Sequence, residues 1–403
     1  MIKVRYLFLF LILGFSLNAE SLKIVSYNML KFSDDDTDRL DELAIILDHI
    51  QPDILLCQEI VDATAVNNIL TQALNAGDYA AVPFHDGYDT DNAMLYRKEK
   101  VQFLQAFYLD DYGLLRNIAE YKIVAYGDTV FLYSAHLKAS TGSDNVARRL
   151  TEMTIWREHL NNHKTGTRFV CVGDWNLYKA AEPAYQKAVA DEEDNDGRMY
   201  DPLDPDGVWI NNPAAGNWHD NYAHRHLHTQ SPRTTQFGGG ATGGLDDRFD
   251  FVLVSEALTD RVLEYTVVGN DGNHFNTNIL NGENSSAPAN VIQALHDFSD
   301  HLPVWIELYF EPVSVISAVI PEQFQIISAY PNPFNNTITI QTNLQPGEKA
   351  QIFLYDLSGK KIWSGTTFQQ KNQYNFPDLS SGIYLIHYQQ DRAKSARRIT
   401  LLK

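Results

Sequence analysis

The sequence predicts a layered α+β sandwich followed by a small β-sandwich. Three observations carry this. From about residue 21 to 310, apolar strand-like runs alternate with runs of helical periodicity. Several strand-like runs follow one another with no helix between them, as antiparallel pairs allow. From residue 328 the pattern changes to short alternating strands separated by Pro, Asn and Gly turns. A chain of 403 residues with 44% apolar and 21% charged content has room for two or three domains and a sizeable core.

The elements are justified in order. Residues 1–19 read as a secretory signal peptide. Lys3 and Arg5 precede an apolar run from Tyr6 to Leu17, and "LNA" supplies a cut after Ala19. "LKIVSYN" (22–28) is a strand. Residues 36–50 form a helix, with Leu40, Leu43, Ile46, Leu47 and Ile50 on one face and acids in the first turn. "PDILLCQE" (52–59) is a strand, and a helix follows near 62–76. Further strands are 92–98, 101–109 and 129–137. An amphipathic helix fills about 145–162, before the strand "RFVCVGDWN". The last two strands of this body are 247–255 and 302–310. The expected division is a catalytic domain over 20–310, a linker over 311–327 and a tail domain over 328–403.

The net charge of −19 is unevenly spread. Residues 321–403 hold nine Lys and Arg against five Asp and Glu, leaving residues 1–320 with 23 basic and 46 acidic residues. A body this acidic argues against nucleic-acid binding through a broad basic surface. It leaves open a metal-assisted phosphoesterase, because a divalent cation changes the local field. No later segment has eighteen consecutive apolar residues, so stable membrane insertion is not expected. Cys57 and Cys171 sit in apolar runs and read as buried, reduced residues; export permits a disulfide between them if their strands are neighbours. The irregular segment 191–240 begins with Asp194, Asp196, Gly197, Asp204, Asp206 and Gly207, which resembles a calcium loop without its full pattern, so a structural Ca2+ is weighed against a solvated acidic loop. His219, His224, His226 and His228 offer a zinc set without strict spacing, against lining a substrate groove.

Polar residues recur where the body's apolar strands end. These are Asn28, Glu59, His136, Asp174 with Asn176, Asp250, and Asp300 with His301. One such ending is a turn; six in one domain suggest a shared rim. Asp174 and Asn176 are two apart and point to one face of a strand. Hydrolysis of a phosphodiester asks for a hard cation held by carboxylates, a positioned water and donors for the developing charge. Glu59 and Asp300 suit the metal, Asp174 with Asn176 the water, and His301 held by Asp250 a tuned acid–base or electrostatic element.

In this order, "SYN…QE…H…GDWN…RFDF…SDH" resembles the endonuclease/exonuclease/phosphatase superfamily over about residues 22–309. The resemblance implies a four-layered, deoxyribonuclease I-like α/β sandwich and a Mg2+-dependent (or Mn2+-dependent) phosphoesterase. It further implies that Asn28, Glu59 and Asp300 belong to the metal site. His136 would stabilise phosphate, Asp174 and Asn176 would form the "GD-x-N" pair, and Asp250 with His301 the catalytic dyad. Trp175 stands where Phe or Leu is commoner. Arg148 and Arg149, on the helix after His136, are candidate phosphate contacts, the alternative being helix-surface charge. The tail motifs "YPNPFNNTITI", "LYDLSGKKI" and "LSSGIYLIHY" resemble the C-terminal sorting domain of the type IX secretion system, which implies that machinery as a partner and a secreted or cell-surface location. The expected function is a secreted nuclease acting as a monomer on a phosphate ester, in the first instance extracellular nucleic acid. The alternatives are a phosphomonoesterase or phospholipid phosphodiesterase on the same fold, and a non-catalytic surface binding protein.

Overall fold

The computed structural model describes residues 20–110, 113–310, 326–344, 348–356, 359–390 and 393–403. The signal-peptide expectation and most of the linker fall outside the described residues. These fall into two compact units, one within 20–310 and one within 326–403.

The first unit runs in the order β1 (Glu20–Phe32), α1 (Leu40–Ile50), β2 (Ile54–Ile60), α2 (Ala63–Asn68), β3 (Tyr79–Ala81), β4 (Asp91–Arg97), β5 (Val101–Leu109), β6 (Ile118–Ala125), β7 (Asp128–His136), α3 (Ser143–Leu160), β8 (Phe169–Asp174), α4 (Pro183–Val189), α5 (Val208–Asn211), β9 (Asp250–Val254), β10 (Val262–Val267), α6 (Ala289–Phe298) and β11 (Val304–Phe310). The strands form two mixed sheets, ordered β10-β11-β1-β2-β4-β3 and β5-β6-β7-β8-β9.

Alternation within the strands builds the layers. Leu22 and Ile24 of β1, Ile54 and Leu56 of β2, Val170 and Val172 of β8 and Val252 of β9 meet in a core between the sheets. Val25 and Tyr27 point the other way, under the apolar faces of α1 and α6. Cys171, Phe251 and Leu253 point outward from the second sheet, against Met153, Trp156 and Leu160 of α3 and Ala184 of α4. The result is helix, sheet, sheet, helix, the four layers implied by the resemblance. Cys57 and Cys171 lie in opposite outer cores with both sheets between them, which excludes a disulfide.

Six elements escaped the sequence reading. These are the short β3, β6, the short helices α4 and α5, the short β10, and α6, whose apolar face (Val291, Ile292, Leu295, Phe298) follows an Asn- and Ser-rich loop that ends in Pro288. The strand expected over 247–255 is ordered as a ladder only from Asp250. The second unit holds the expected short strands, β12 (Ile326–Tyr330), β13 (Thr337–Thr342), β14 (Ala350–Tyr355), β15 (Lys361–Thr367), β16 (Lys371–Asn375), β17 (Gly382–Gln390) and β18 (Ala393–Leu401). They form sheets β12-β13-β16 and β15-β14-β17-β18 over a core containing Ile338, Ile340, Ile352, Leu354 and Ile386.

Candidate active site

Strand register assembles the site. The parallel pair β7–β8 sets His136 beside Asp174, and the antiparallel pair β8–β9 sets Asp174 beside Asp250. Three functional side chains thus lie in one row across three strands. In the other sheet, the parallel pair β1–β2 sets Asn28 beside Gln58, and a bulge then turns Glu59 toward Asn28. His301 comes from the segment entering β11. Parallel strands place their C-terminal ends together, so one end of the sandwich collects all these residues.

The backbone is shaped for this. Gly173 has φ +134°, and a Cβ there would lie 1.9 Å from the Ala135 carbonyl oxygen, so only glycine lets β8 approach β7 this closely. Glu59 and Asn176 adopt left-handed backbone at φ +59° and +52°. Non-glycine residues adopt this region at a cost, which the surrounding pairing maintains. Trp175 between Asp174 and Asn176 is fully buried and stacks on Phe251 at 5.1 Å, edge-on to Trp156 at 5.3 Å. It is packing that fixes its neighbours.

Asp174 is the hub. Its Oδ1 accepts from the Asn176 side chain (2.8 Å) and backbone N–H (3.1 Å). Its Oδ2 accepts from Asn28 Nδ2 (3.0 Å) and lies 3.5 Å from both His136 Nε2 and His301 Nε2. Asn28 Nδ2 also donates to Glu59 Oε1 at 3.1 Å, and Glu59 Oε2 accepts the Lys31 N–H at 3.0 Å. His301 Nδ1 lies 2.7 Å from Asp250 Oδ2. Burial pushes the Asp174 carboxyl up to about 7; the His301 charge opposes this, and Asp250 and Glu59 add to it. Burial works against a charged His301, but Asp250, Asp174 and Asp300 outweigh it and hold the ring well above the usual histidine range. His136 is held well below that range by burial, then by the charges of Arg116, His301 and Lys138.

Glu59, His136 and Asp174 each offer a ligand atom, all within 4.8 Å of one another. His136 Nδ1 is buried, has no hydrogen-bond partner and faces Glu59 Oε1 at 3.7 Å. Two carboxylates and an orphaned imidazole nitrogen fit a divalent cation. Asp300 lies outside this set. Its Oδ2 accepts the Ala241 N–H at 2.6 Å, in the glycine-rich stretch 238–244, and its Oδ1 is buried without a partner.

The structure bears on three alternatives that the sequence left open. Arg149 is fully buried; its guanidinium is committed to Glu182 Oε2 (2.8 and 3.0 Å) and to the carbonyls of Lys138 and Ser140, so it presents no exposed donor to a phosphate. Arg148 is exposed on α3, as helix-surface charge would be. The acidic stretch builds turns: Asp194 Oδ1 accepts the Asp196 N–H, and Asp204 caps α5 through the N–H groups of Val208 and Trp209. Among the described residues no metal-holding group forms there, against the calcium reading. The histidines 219–228 likewise form no zinc set: His219 pairs with Asp247 (2.5 Å), His224 with the Ala215 carbonyl and His228 with those of Trp218 and Leu245.

Two residues at the site were missed. Arg116, just before β6, has only Nη2 engaged, with Asp89 at 2.6 Å; its buried Nε and Nη1 have no hydrogen-bond partner. An arginine directly before a strand that pairs with the His136 strand is the signal that was available. Gln230, in the polar segment 191–240, places its side-chain amide 2.6 Å from His301 Nε2, and no local pattern marks it.

The fold and this carboxylate–histidine cluster define a hydrolase of phosphate esters. The sequence of residues 25–301 matches the endonuclease/exonuclease/phosphatase family, and the chain belongs to that family. Residues 328–401 match the secretion system C-terminal sorting domain, which marks the chain for the type IX machinery. Similar solved structures include truncated TDP2 of Caenorhabditis elegans (18% identity, 72% of this chain, 98% of that chain, TM-score 0.48). Others are D. rerio TDP2 complexed with single-strand DNA product (16%, 71%, 98%, 0.47) and the mannosyl-6-phosphatase of Bacteroides thetaiotaomicron (17%, 72%, 100%, 0.46). No curated protein matches. Among the described residues no helix is long and apolar enough to cross a membrane.

Proposed function

We propose that the protein is a secreted, divalent-metal-dependent phosphodiesterase that cleaves extracellular nucleic acid. The observation that carries this reading is Asp174, whose two oxygens are divided between Asn176 on one side and Asn28, His136 and His301 on the other. Glu59, with His136 and Asp174 in reach, would hold Mg2+ or Mn2+. The cation when bound supplies positive charge to the phosphoryl oxygens. Asp174, fixed by Asn176, orients the attacking water and takes its proton; a carboxyl raised to about 7 suits that task near neutral pH. His301, kept charged by Asp250, stabilises the charge that builds on the phosphoryl group. His136, kept neutral, is free to act as a ligand or hydrogen-bond donor.

A polymeric substrate is supported by what flanks the site. Tyr88 is 77% exposed and neighbours Asp89, the ion-pair partner of Arg116. An exposed aromatic ring one residue from that ion pair suits a stacked base, and the Arg116 guanidinium adds positive charge near His136. The cation assists hydrolysis, the sorting domain and the signal peptide take the enzyme outside the cell, and the protein acts as a monomer.

The test is a panel of DNA, RNA, bis(p-nitrophenyl) phosphate, p-nitrophenyl phosphate and phospholipid vesicles, with Mg2+, Mn2+ or chelator. Nucleic acid and the model diester are expected to be cleaved only with metal. Glu59→Ala and His301→Ala are each expected to lower kcat by about 100- to 10,000-fold. Unchanged activity in both variants would remove this reading.

A further inference from the structure

The nitrogen of His301 that faces substrate already has a protein partner. Nδ1 is committed to Asp250 at 2.7 Å, so only Nε2 is turned into the site. The nearest polar atom to it is the side-chain amide nitrogen of Gln230, at 2.6 Å; the same amide lies 3.5 Å from Asp300 Oδ2. Of these two neighbours, His301 is a residue that the proposed reaction uses.

The backbone of Gln230 is held from two sides. On one side it pairs with Asp247: its N–H donates to the Asp247 carbonyl at 3.1 Å, and its own carbonyl accepts the N–H groups of Asp246 (3.0 Å) and Asp247 (3.1 Å). On the other side it bridges to His301, and the Leu302 N–H donates to the Thr229 carbonyl at 2.7 Å. The preceding Thr229 Oγ1 accepts the N–H groups of Phe249 and Asp250. Residues 229–230 therefore join the strand carrying Asp250 to the segment carrying His301, the two halves of the dyad. The side chain is half-buried, so its outer side stays open to a ligand.

A carboxamide suits this place for a chemical reason. It carries a donor and an acceptor, related by a half-turn about its last bond. Its NH2 group donates to a bare Nε2, and its carbonyl accepts from Nε2–H. With its carbonyl turned to the ring it accepts from the Nε2–H of a charged His301, and it adds no charge to a cluster that already holds Asp174, Asp250 and Asp300. A carboxylate would add a fourth negative charge beside an incoming phosphate, and an apolar side chain would leave Nε2 unpartnered.

We propose that Gln230 is a positioning residue for phosphoryl transfer, holding His301 Nε2 in line and yielding it to a phosphoryl oxygen when substrate binds. The proposal rests on the assignment of His301 to the reaction. It concerns alignment, so its effect belongs in kcat, with little change in KM.

The test is a double-mutant cycle on the full chain with bis(p-nitrophenyl) phosphate and Mn2+. Gln230→Met keeps length and flexibility and removes both hydrogen-bonding groups. Its kcat is expected to fall on the order of 10- to 100-fold, the cost of a misaligned group, with KM within about twofold. Gln230→Ala, which has no atoms to clash, is the second variant should the first not fold, and thermal melting checks both. In a His301→Ala background the Gln230 substitution is expected to cost nothing further, because a residue acting through His301 has nothing left to align. A purely structural role would instead carry its full cost into that background and would overturn the proposal, as would wild-type kcat in Gln230→Met and Gln230→Ala. Wild-type activity in His301→Ala alone marks failure of the parent reading.

Discussion

At the scale of single residues, Gly173 governs how close two strands of the candidate site come. It pairs with Ala135 in β7, and its φ of +134° lies where side chains are strained. A methyl group there meets the Ala135 carbonyl oxygen at 1.9 Å, so β7 and β8 must separate, and His136 moves away from Asp174. Gly173→Ala is expected to destabilise the protein by more than about 3 kcal/mol, from backbone strain and steric overlap together. Urea denaturation reads the stability, and kcat with bis(p-nitrophenyl) phosphate reads the site. Stability within about 0.5 kcal/mol of wild type, the range of an ordinary surface change, would contradict this account. The strain at Glu59 and Asn176 is of the same kind, because the residues bearing the chemistry sit where the chain leaves regular strand geometry.

At the scale of elements, α3 illustrates how an arginine on a helix near a site is read from the structure. Arg149 joins α3 to the turn before α4 through Glu182, and both side chains are buried. Removing one partner strands the other charge in the interior, which costs about 3–5 kcal/mol. Arg149→Ala is therefore expected to lower stability by that amount, while its exposed neighbour Arg148→Ala changes it by less than about 0.5 kcal/mol. Paired urea titrations check the contrast, and equal effects would refute it. The sequence shows two adjacent arginines at helical spacing and does not show which one faces inward. That limit recurs. Strand ends such as Asn28, Glu59, Asp174 and His136 were legible, because a strand's register and its last polar residue are local properties. Gln230 and Arg116 were not, because their roles arise from where a long loop and a strand's lead-in come to rest. The choice between a calcium site and a solvated acidic loop was open for the same reason: the spacing of Asp194, Asp196 and Asp204 also suits turn and cap hydrogen bonds, and these are the bonds formed. The missed helix α6 has a clear apolar face, but a long polar, Asn-rich approach hid its start.

At the scale of the whole molecule, charge constrains how substrate is held. Residues 1–320 carry 23 basic residues against 46 acidic ones. Many of the arginines are committed internally: Arg39 to backbone carbonyls, Arg149 to Glu182, Arg157 to carbonyls around α4, and Arg248 to Asp201. Arg116, with two buried and unpartnered guanidinium nitrogens, stands apart from these at the site. A nucleic acid would then be held by the cation at Glu59, His136 and Asp174, by Arg116 and by stacking, and not by a row of phosphate contacts. Each neutralised phosphate contributes about −0.7 to −0.9 to the slope of log affinity against log salt. The slope measured for log(1/KM) with an oligonucleotide at fixed Mg2+ is expected to be no steeper than about −2, corresponding to one or two such contacts. Arg116→Met is expected to flatten it by about one contact's worth. A slope near −5 or beyond, unchanged in Arg116→Met, would show a basic binding surface that the arrangement of charges on this body does not provide.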